Sequence, residues 1–176
     1  MITPDGIHVT VNGDRRPAAS CPGLHLTLER RSGPTEATHL FDVRLVNAGL
    51  APWRVEAVDL TLGENACLTG PATFCAYKEG LTAVGTAGSR QSGDGDFELD
   101  PGFLPLTVSD AAAYRWDQPG LFSAEQVGIL LNKDSGEALL AGFVTANNCF
   151  CRILMHTHAA GGATMRAVID TDGITV

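Results

Sequence analysis

The chain has 176 residues, 44% of them hydrophobic, and a net charge of −8 with only two lysines among twelve basic residues. A protein binds nucleic acids or anionic membranes through a concentrated basic surface. Here the arginines are scattered along the chain, and only Arg15-Arg16 and Arg30-Arg31 are adjacent. These values exclude both as expected partners, and the length allows one large domain with its own core.

Alternation of apolar and polar residues predicts short strands in the first third of the chain. Four such runs are centred on residues 7–11, 24–29, 41–45 and 58–62. Asn12-Gly13 directly follows the first run and is a strong signal for a hairpin turn. Because side chains alternate along a strand, each apolar set is expected on one face of a sheet.

The middle of the chain has a different pattern. Residues 85–102 contain five glycines and few large apolar side chains, which predicts a long loop or a frayed edge hairpin. Residues 109–116 are the best helical candidate, with Ser109 as the N-cap of about two turns.

From Leu121 onward the pattern predicts a meander of antiparallel strands. Its expected strands are residues 127–131, a more buried strand at 138–145, a third at 149–158 and a fourth at 165–170. The whole chain is therefore predicted to be an all-β, antiparallel β-sandwich, like a supersandwich, with one short helix.

Asp170-Thr171-Asp172-Gly173 predicts a turn, after which three residues remain. A three-residue strand is a poor end for a sheet. We therefore expect residues 1–176 to be a single domain cut from a longer polypeptide.

Cys149 and Cys151, followed by His156 and His158, are residue types that bind zinc. On one unbroken strand the cysteines share one face and the histidines share the other, so the two pairs meet only if a bulge reverses the alternation. We expect no metal here.

Catalytic motifs are also missing from the sequence. Asp94, Asp96, Glu98 and Asp100 alternate but do not fit a calcium-binding EF-hand loop, and they predict a solvated edge strand. No spacing singles out the facing carboxylates of a glycosidase, and there is no nucleophile elbow, Walker loop or dinucleotide fingerprint. We expect no catalytic residue and no cofactor.

Two tryptophans are the remaining candidates for a contact site. Trp53 and Trp116 each lie in an irregular segment beside an arginine, and Trp116 is flanked by Arg115 and Asp117. A flat aromatic ring beside polar donors suits a sugar, but the same features suit an interdomain contact or core packing. All three roles stay open for these residues.

Three segments in the second half resemble a known domain. They are residues 119–125, residues 138–143 (Ala-Leu-Leu-Ala-Gly-Phe) and Asp170-Thr171-Asp172-Gly173. Together they resemble the N-terminal β-supersandwich of melibiase-type α-galactosidases, glycoside hydrolase family 36, over residues 70–176. The family's Trp-Gln-Ser-Trp-type motif is replaced by residues 74–80, Phe-Cys-Ala-Tyr-Lys-Glu-Gly.

The resemblance implies a non-catalytic accessory domain that supports a downstream catalytic barrel in the same polypeptide and contributes to oligomer contacts. Two alternatives stay open: an independent carbohydrate-binding module, and a mutarotase-like sugar enzyme. The chain has five cysteines, an odd number without repeated spacing, which indicates reduced thiols in a reducing compartment. Since the N-terminus also lacks the pattern of a secretory signal, the sequence predicts a cytoplasmic protein.

Overall fold

The computed structural model describes residues 6–62, 68–70, 72–78, 88–91, 120–145, 149–158 and 160–176. Strands dominate these ranges, with a 3-10 turn at Ala18–Ser20. The predicted all-β antiparallel sandwich is confirmed. The predicted helix at residues 109–116 and the acidic run at residues 94–100 lie outside the described residues.

The described strands form three antiparallel sheets. Their bounds are β1 Ile7–Val11, β2 Asp14–Pro17, β3 Leu24–Ser32, β4 His39–Asn47, β5 Arg54–Thr61, β6 Phe74–Lys78, β7 Gly88–Gln91, β8 Leu121–Ala124, β9 Val127–Asn132, β10 Ala138–Gly142, β11 Phe150–Thr157 and β12 Ala163–Thr175. The strand orders are β2-β1-β5-β12-β11-β8, β10-β9-β6-β7 and β3-β4.

The first hairpin forms where the sequence predicts it. Asn12 and Gly13 have φ values of 52° and 82°, and a two-residue hairpin turn of this type needs positive φ at both positions. β1 and β2 pair on either side of the turn. The runs at residues 24–29 and 41–45 also form strands, and they pair with each other.

The core lies between the six-stranded sheet and the other two sheets. Val9, Val58, Ile153 and Met165 contribute to it from the six-stranded sheet, and the 3-10 turn adds Ala18. From the other sheets come Phe74, Ala76 and Leu130, with Leu26, Leu28, Val43 and Leu45 of the β3-β4 hairpin packed against the cluster. One continuous core therefore joins all three sheets.

The predicted meander is wrong in its middle. β10 pairs with β9, but β11 pairs with β8 and β12 in the six-stranded sheet. β10 is also not the more buried strand, because Leu140 is 63% exposed and Val144, just after it, is 83% exposed. Its apolar composition reflects an apolar outer surface, and the chain crosses between sheets after it.

The predicted turn at residues 170–173 is also wrong. β12 runs through it from Ala163 to Thr175, with a bulge where its pairing to β5 shifts between Asp170 and Ile174. Asp172 and Gly173 have φ values of 53° and 76°. Residues suited to a turn therefore adopt turn-like conformations here without reversing the chain, because both flanks pair with β5.

In the described ranges we find no helix with the length and hydropathy to cross a membrane.

Candidate functional site

The faces of β11 follow the alternation expected from the sequence. Cys151, Ile153 and Met155 are buried, while Arg152, Leu154 and His156 are half-buried on the opposite face. The cysteine and histidine pairs therefore lie on opposite sides of the sheet. No three His, Cys, Asp or Glu side chains come together as metal ligands in the part of the chain that is described.

The outer face of the six-stranded sheet, the face opposite the core, carries two clusters of charged side chains among the described residues. The strand registers place His8, Asp59, Val168 and Arg152 in one row across four adjacent strands. Each of these residues alternates with a core residue on its own strand, so the row faces away from the core. Buried Val168 separates two charged clusters in this row.

The first cluster is centred on Asp59 of β5. Its Oδ2 atom accepts a hydrogen bond from Arg15 Nε at 3.0 Å and one from Arg166 Nη1 at 2.7 Å. The Asp59 side chain is 8% exposed, whereas Arg15 and Arg166 are partly exposed. The carboxylate thus joins β2, β5 and β12 on one side of the sheet, and charge-assisted bonds of this kind are the stronger ones.

The second cluster pairs β11 with β12. Arg152 Nη2 lies 3.0 Å from Asp170 Oδ2, and the Arg152 side chain is 11% exposed. Phe150 stands opposite Asp170 in the strand register and is 45% exposed. An exposed aromatic residue therefore lies beside a partly buried ion pair on the outer face.

Two histidines extend the outer face along β11. The ring centroids of His156 and His158 are 4.3 Å apart in an edge-to-face arrangement. Burial lowers the pKa of His156, and the charges of His158 and Arg166 lower it further. These surroundings favour the neutral imidazole, which can act as a ligand through either Nδ1 or Nε2.

Cys151 is unsuited to nucleophilic chemistry. Burial raises the pKa of its thiol to about 11, with further contributions from Cys149 and Asp170. The thiolate is the reactive form of cysteine, so Cys151 behaves as a small core residue.

Trp53 is half-buried beside the core. Its indole N–H donates to Pro22 O at 3.1 Å, its ring packs against the core, and its backbone pairs with Val176. The other predicted contact residues, Trp116, Arg115 and Asp117, lie outside the described residues. Of the predicted contact residues, the structure therefore describes Trp53 alone.

Sequence reasoning missed both ion-pair clusters. The available signals were an aspartate in the apolar run of β5 and the Arg15-Arg16 pair beside the first turn. Neither signal predicts that β12 would bring Arg166 to Asp59, because that pairing depends on the sheet order. No family model, curated protein or solved structure matches this chain.

Proposed function

We propose that this chain is a non-catalytic β-sandwich domain that supports a carbohydrate-active catalytic domain of the same polypeptide, as its resemblance to α-galactosidases implies. The observation that supports this most is the engagement of the outer-face carboxylates. Asp59 accepts bonds from two arginines and Asp170 pairs with Arg152. A glycosidase instead presents two carboxyl groups to the substrate, one of them able to donate a proton.

The proposed compartment is the cytoplasm. Cys21, Cys75, Cys149 and Cys151 all have free thiols, which is the usual state in a reducing environment. The domain is proposed to work without a cofactor.

A carbohydrate-binding module is the second candidate, and Phe150 favours it. Its exposed ring beside Arg152 and Asp170 combines an aromatic face with polar groups, the combination that suits a sugar. One aromatic face contributes only about 1 kcal/mol beyond area burial. Binding by this surface is therefore expected at millimolar affinity or weaker.

The accessory role can be tested at the coding sequence. If it is correct, the reading frame continues past Val176 into a catalytic domain of roughly 250 residues, the usual size of a (β/α)₈ barrel. A stop codon directly after Val176 would contradict the proposal.

An activity assay tests the absence of catalysis in this chain. The purified protein is incubated with chromogenic α- and β-galactosides and glucosides, and no turnover is expected. Turnover that is lost in Asp59→Asn or Asp170→Asn but kept in Asp42→Asn would overturn the proposal. Asp42 is the control because it lies on β4 in an exposed ion pair with Arg31.

Titration with free sugars separates the two candidates. Saturable sugar binding, at millimolar affinity or tighter, that is lost in Phe150→Ala would favour the binding module over the accessory role. Tyr77→Ala is the matched control, since Tyr77 is a similarly exposed aromatic residue on the other large sheet.

A further inference from the structure

β10 forms one edge of the described four-stranded sheet. Asn132 N donates to Glu137 O at 2.9 Å, and Phe143 N donates to Gln126 O at 3.1 Å. In an antiparallel pair, hydrogen-bonded residues alternate along each strand, so the odd-numbered residues of β10 bond to β9. The N–H and C=O groups of Ala138, Leu140 and Gly142 consequently point away from β9.

This edge lacks the features that usually prevent strand pairing between molecules. Proteins protect exposed edges with charged residues, prolines or bulges. β2, an edge of the six-stranded sheet, consists of Asp14, Arg15, Arg16 and Pro17, and β3 and β4 both carry charges. β10 reads Ala-Leu-Leu-Ala-Gly and has none of these residues.

The outer surface beside this edge is apolar. The strand registers place Tyr77, Ile129 and Leu140 in one row across β6, β9 and β10. Tyr77 is 44% exposed and Leu140 is 63% exposed. The row therefore ends at the open edge on its most exposed member.

We propose that β10 pairs antiparallel with β10 of a second copy of this chain, about a two-fold axis at Leu140. In this register the outward N–H and C=O groups of Leu140 bond to Leu140 of the second copy. Those of Ala138 bond to Gly142 of the second copy, and the reverse. The two four-stranded sheets join into one sheet, and the Tyr77-Ile129-Leu140 row continues into its symmetry mate.

A second copy fits this edge because the edge is complementary to itself. Gly142 has no side chain, so it leaves space for the Ala138 methyl group opposite it. Uncharged residues face one another along all five positions of the strand, which avoids the like-charge repulsion that opposes strand pairing. A contact of five residues per chain is small, and interfaces below about 1,200 Å² are typical of weak complexes. We therefore expect a dimer of micromolar affinity.

Sedimentation equilibrium over a concentration range of about 5–500 μM is the primary test, since it brackets that affinity. Leu140→Lys places two cations side by side at the centre of the contact and should weaken the dimer at least about tenfold. The matched control is Leu50→Lys, the same change at a fully exposed leucine outside the sheets, which should leave the dimer unchanged.

Ala138→Pro tests the backbone bonds directly. It removes an N–H that faces away from β9, a position where edge strands accept proline, so the monomer should stay folded while dimerisation weakens. Circular dichroism of each variant checks folding. Hydrogen exchange adds a residue-level measurement: exchange of the Leu140 amide should slow as concentration rises, while the Leu139 amide, which faces β9, should not respond.

Two results would overturn the proposal. One is a wild-type protein that stays monomeric over the whole concentration range. The other is a dimer that Leu140→Lys and folded Ala138→Pro leave as tight as before, since self-association would then use another surface.

Discussion

Asp59 is a charged residue in a strand whose neighbouring side chains, Val58 and Leu60, belong to the core. Asp59→Asn keeps the shape of the side chain but leaves Arg15 and Arg166 facing a neutral amide. We expect a loss of about 1–3 kcal/mol in the free energy of unfolding, below that of a fully buried pair because both arginines are partly exposed. Urea unfolding followed by circular dichroism measures it.

Asp42→Asn is the control for this change, because its partner Arg31 and Asp42 itself are both well exposed. Exposed ion pairs contribute at most about 1 kcal/mol. Equal losses in the two variants would show that the Asp59 cluster has no special structural role.

The lowered pKa of His156 should make the stability of the fold depend on pH. Its pKa is lowered in the folded protein from the ordinary 6.5, so below pH 6.5 the unfolded chain takes up a proton that the folded chain resists. Stability should therefore fall as the pH drops through 6.5, and it should stop falling once the pH is below the folded pKa. Thermal melts between pH 5 and 8 in wild type and His156→Asn test this, in the range where histidine titrates. An unchanged pH profile in the variant would contradict it.

The bulge in β12 depends on a glycine at Gly173. A Cβ atom on Gly173 would lie 2.5 Å from Arg54 Nε, and φ there is +76°. The exposed Arg54 side chain can move away, so the left-handed backbone strain remains as the main cost, and Gly173→Ala should lose about 1–3 kcal/mol. Chemical denaturation measures the loss.

Asp172→Gly is the matched change at the neighbouring position. Asp172 already has φ of 53° without being a glycine, so glycine relieves strain while adding freedom to the unfolded chain. We expect a change of less than about 1 kcal/mol. A large loss here would mean that the Asp172 side chain, and not the backbone, holds the bulge.

The sequence predicts the positions of most strands well but predicts their pairing partners poorly. Alternation located β1, β3, β4 and β5 because the apolar residues of each pack on or against the core. It misplaced β10, whose apolar residues include Leu140 on the outer surface, and it interpreted the β12 bulge as a turn. Local residue preferences do not encode which strand pairs with which, and both errors arise there.

The spacing of the two large sheets depends on Gly128. This residue is buried on β9, and a Cβ atom there would lie 2.9 Å from both Ile153 Cγ2 and Met155 Sδ on β11. Gly128→Ala should force the sheets apart locally and cost about 1–3 kcal/mol, the range for overpacked cores.

Gly142→Ala is the comparison at an exposed position of the edge strand β10, where a Cβ atom would lie 3.0 Å from Val127 Cγ2 and 3.1 Å from Gln126 O and the strand is free to shift outward. Its loss should be clearly smaller in the same denaturation experiment. A stability of Gly128→Ala equal to that of wild type would show that the sheets adjust without cost at this position. The Asp59–Arg166 contact could not be predicted from local sequence either, since it forms only when β12 pairs with β5 in the complete sheet.

The pairing of β5 with β12 has a consequence for how the chain folds. β12 lies between β5 and β11 in the six-stranded sheet, yet it follows β5 by about one hundred residues in the chain, the kind of separation that slows folding. During synthesis, β2, β1 and β5 leave the ribosome long before the strand that joins them to β11 and β8. Because this pairing joins strands that are distant in the sequence, we expect folding on the millisecond-to-second scale. Until β12 is synthesised, the β5 edge is open to other chains, so we also expect dependence on chaperones during translation.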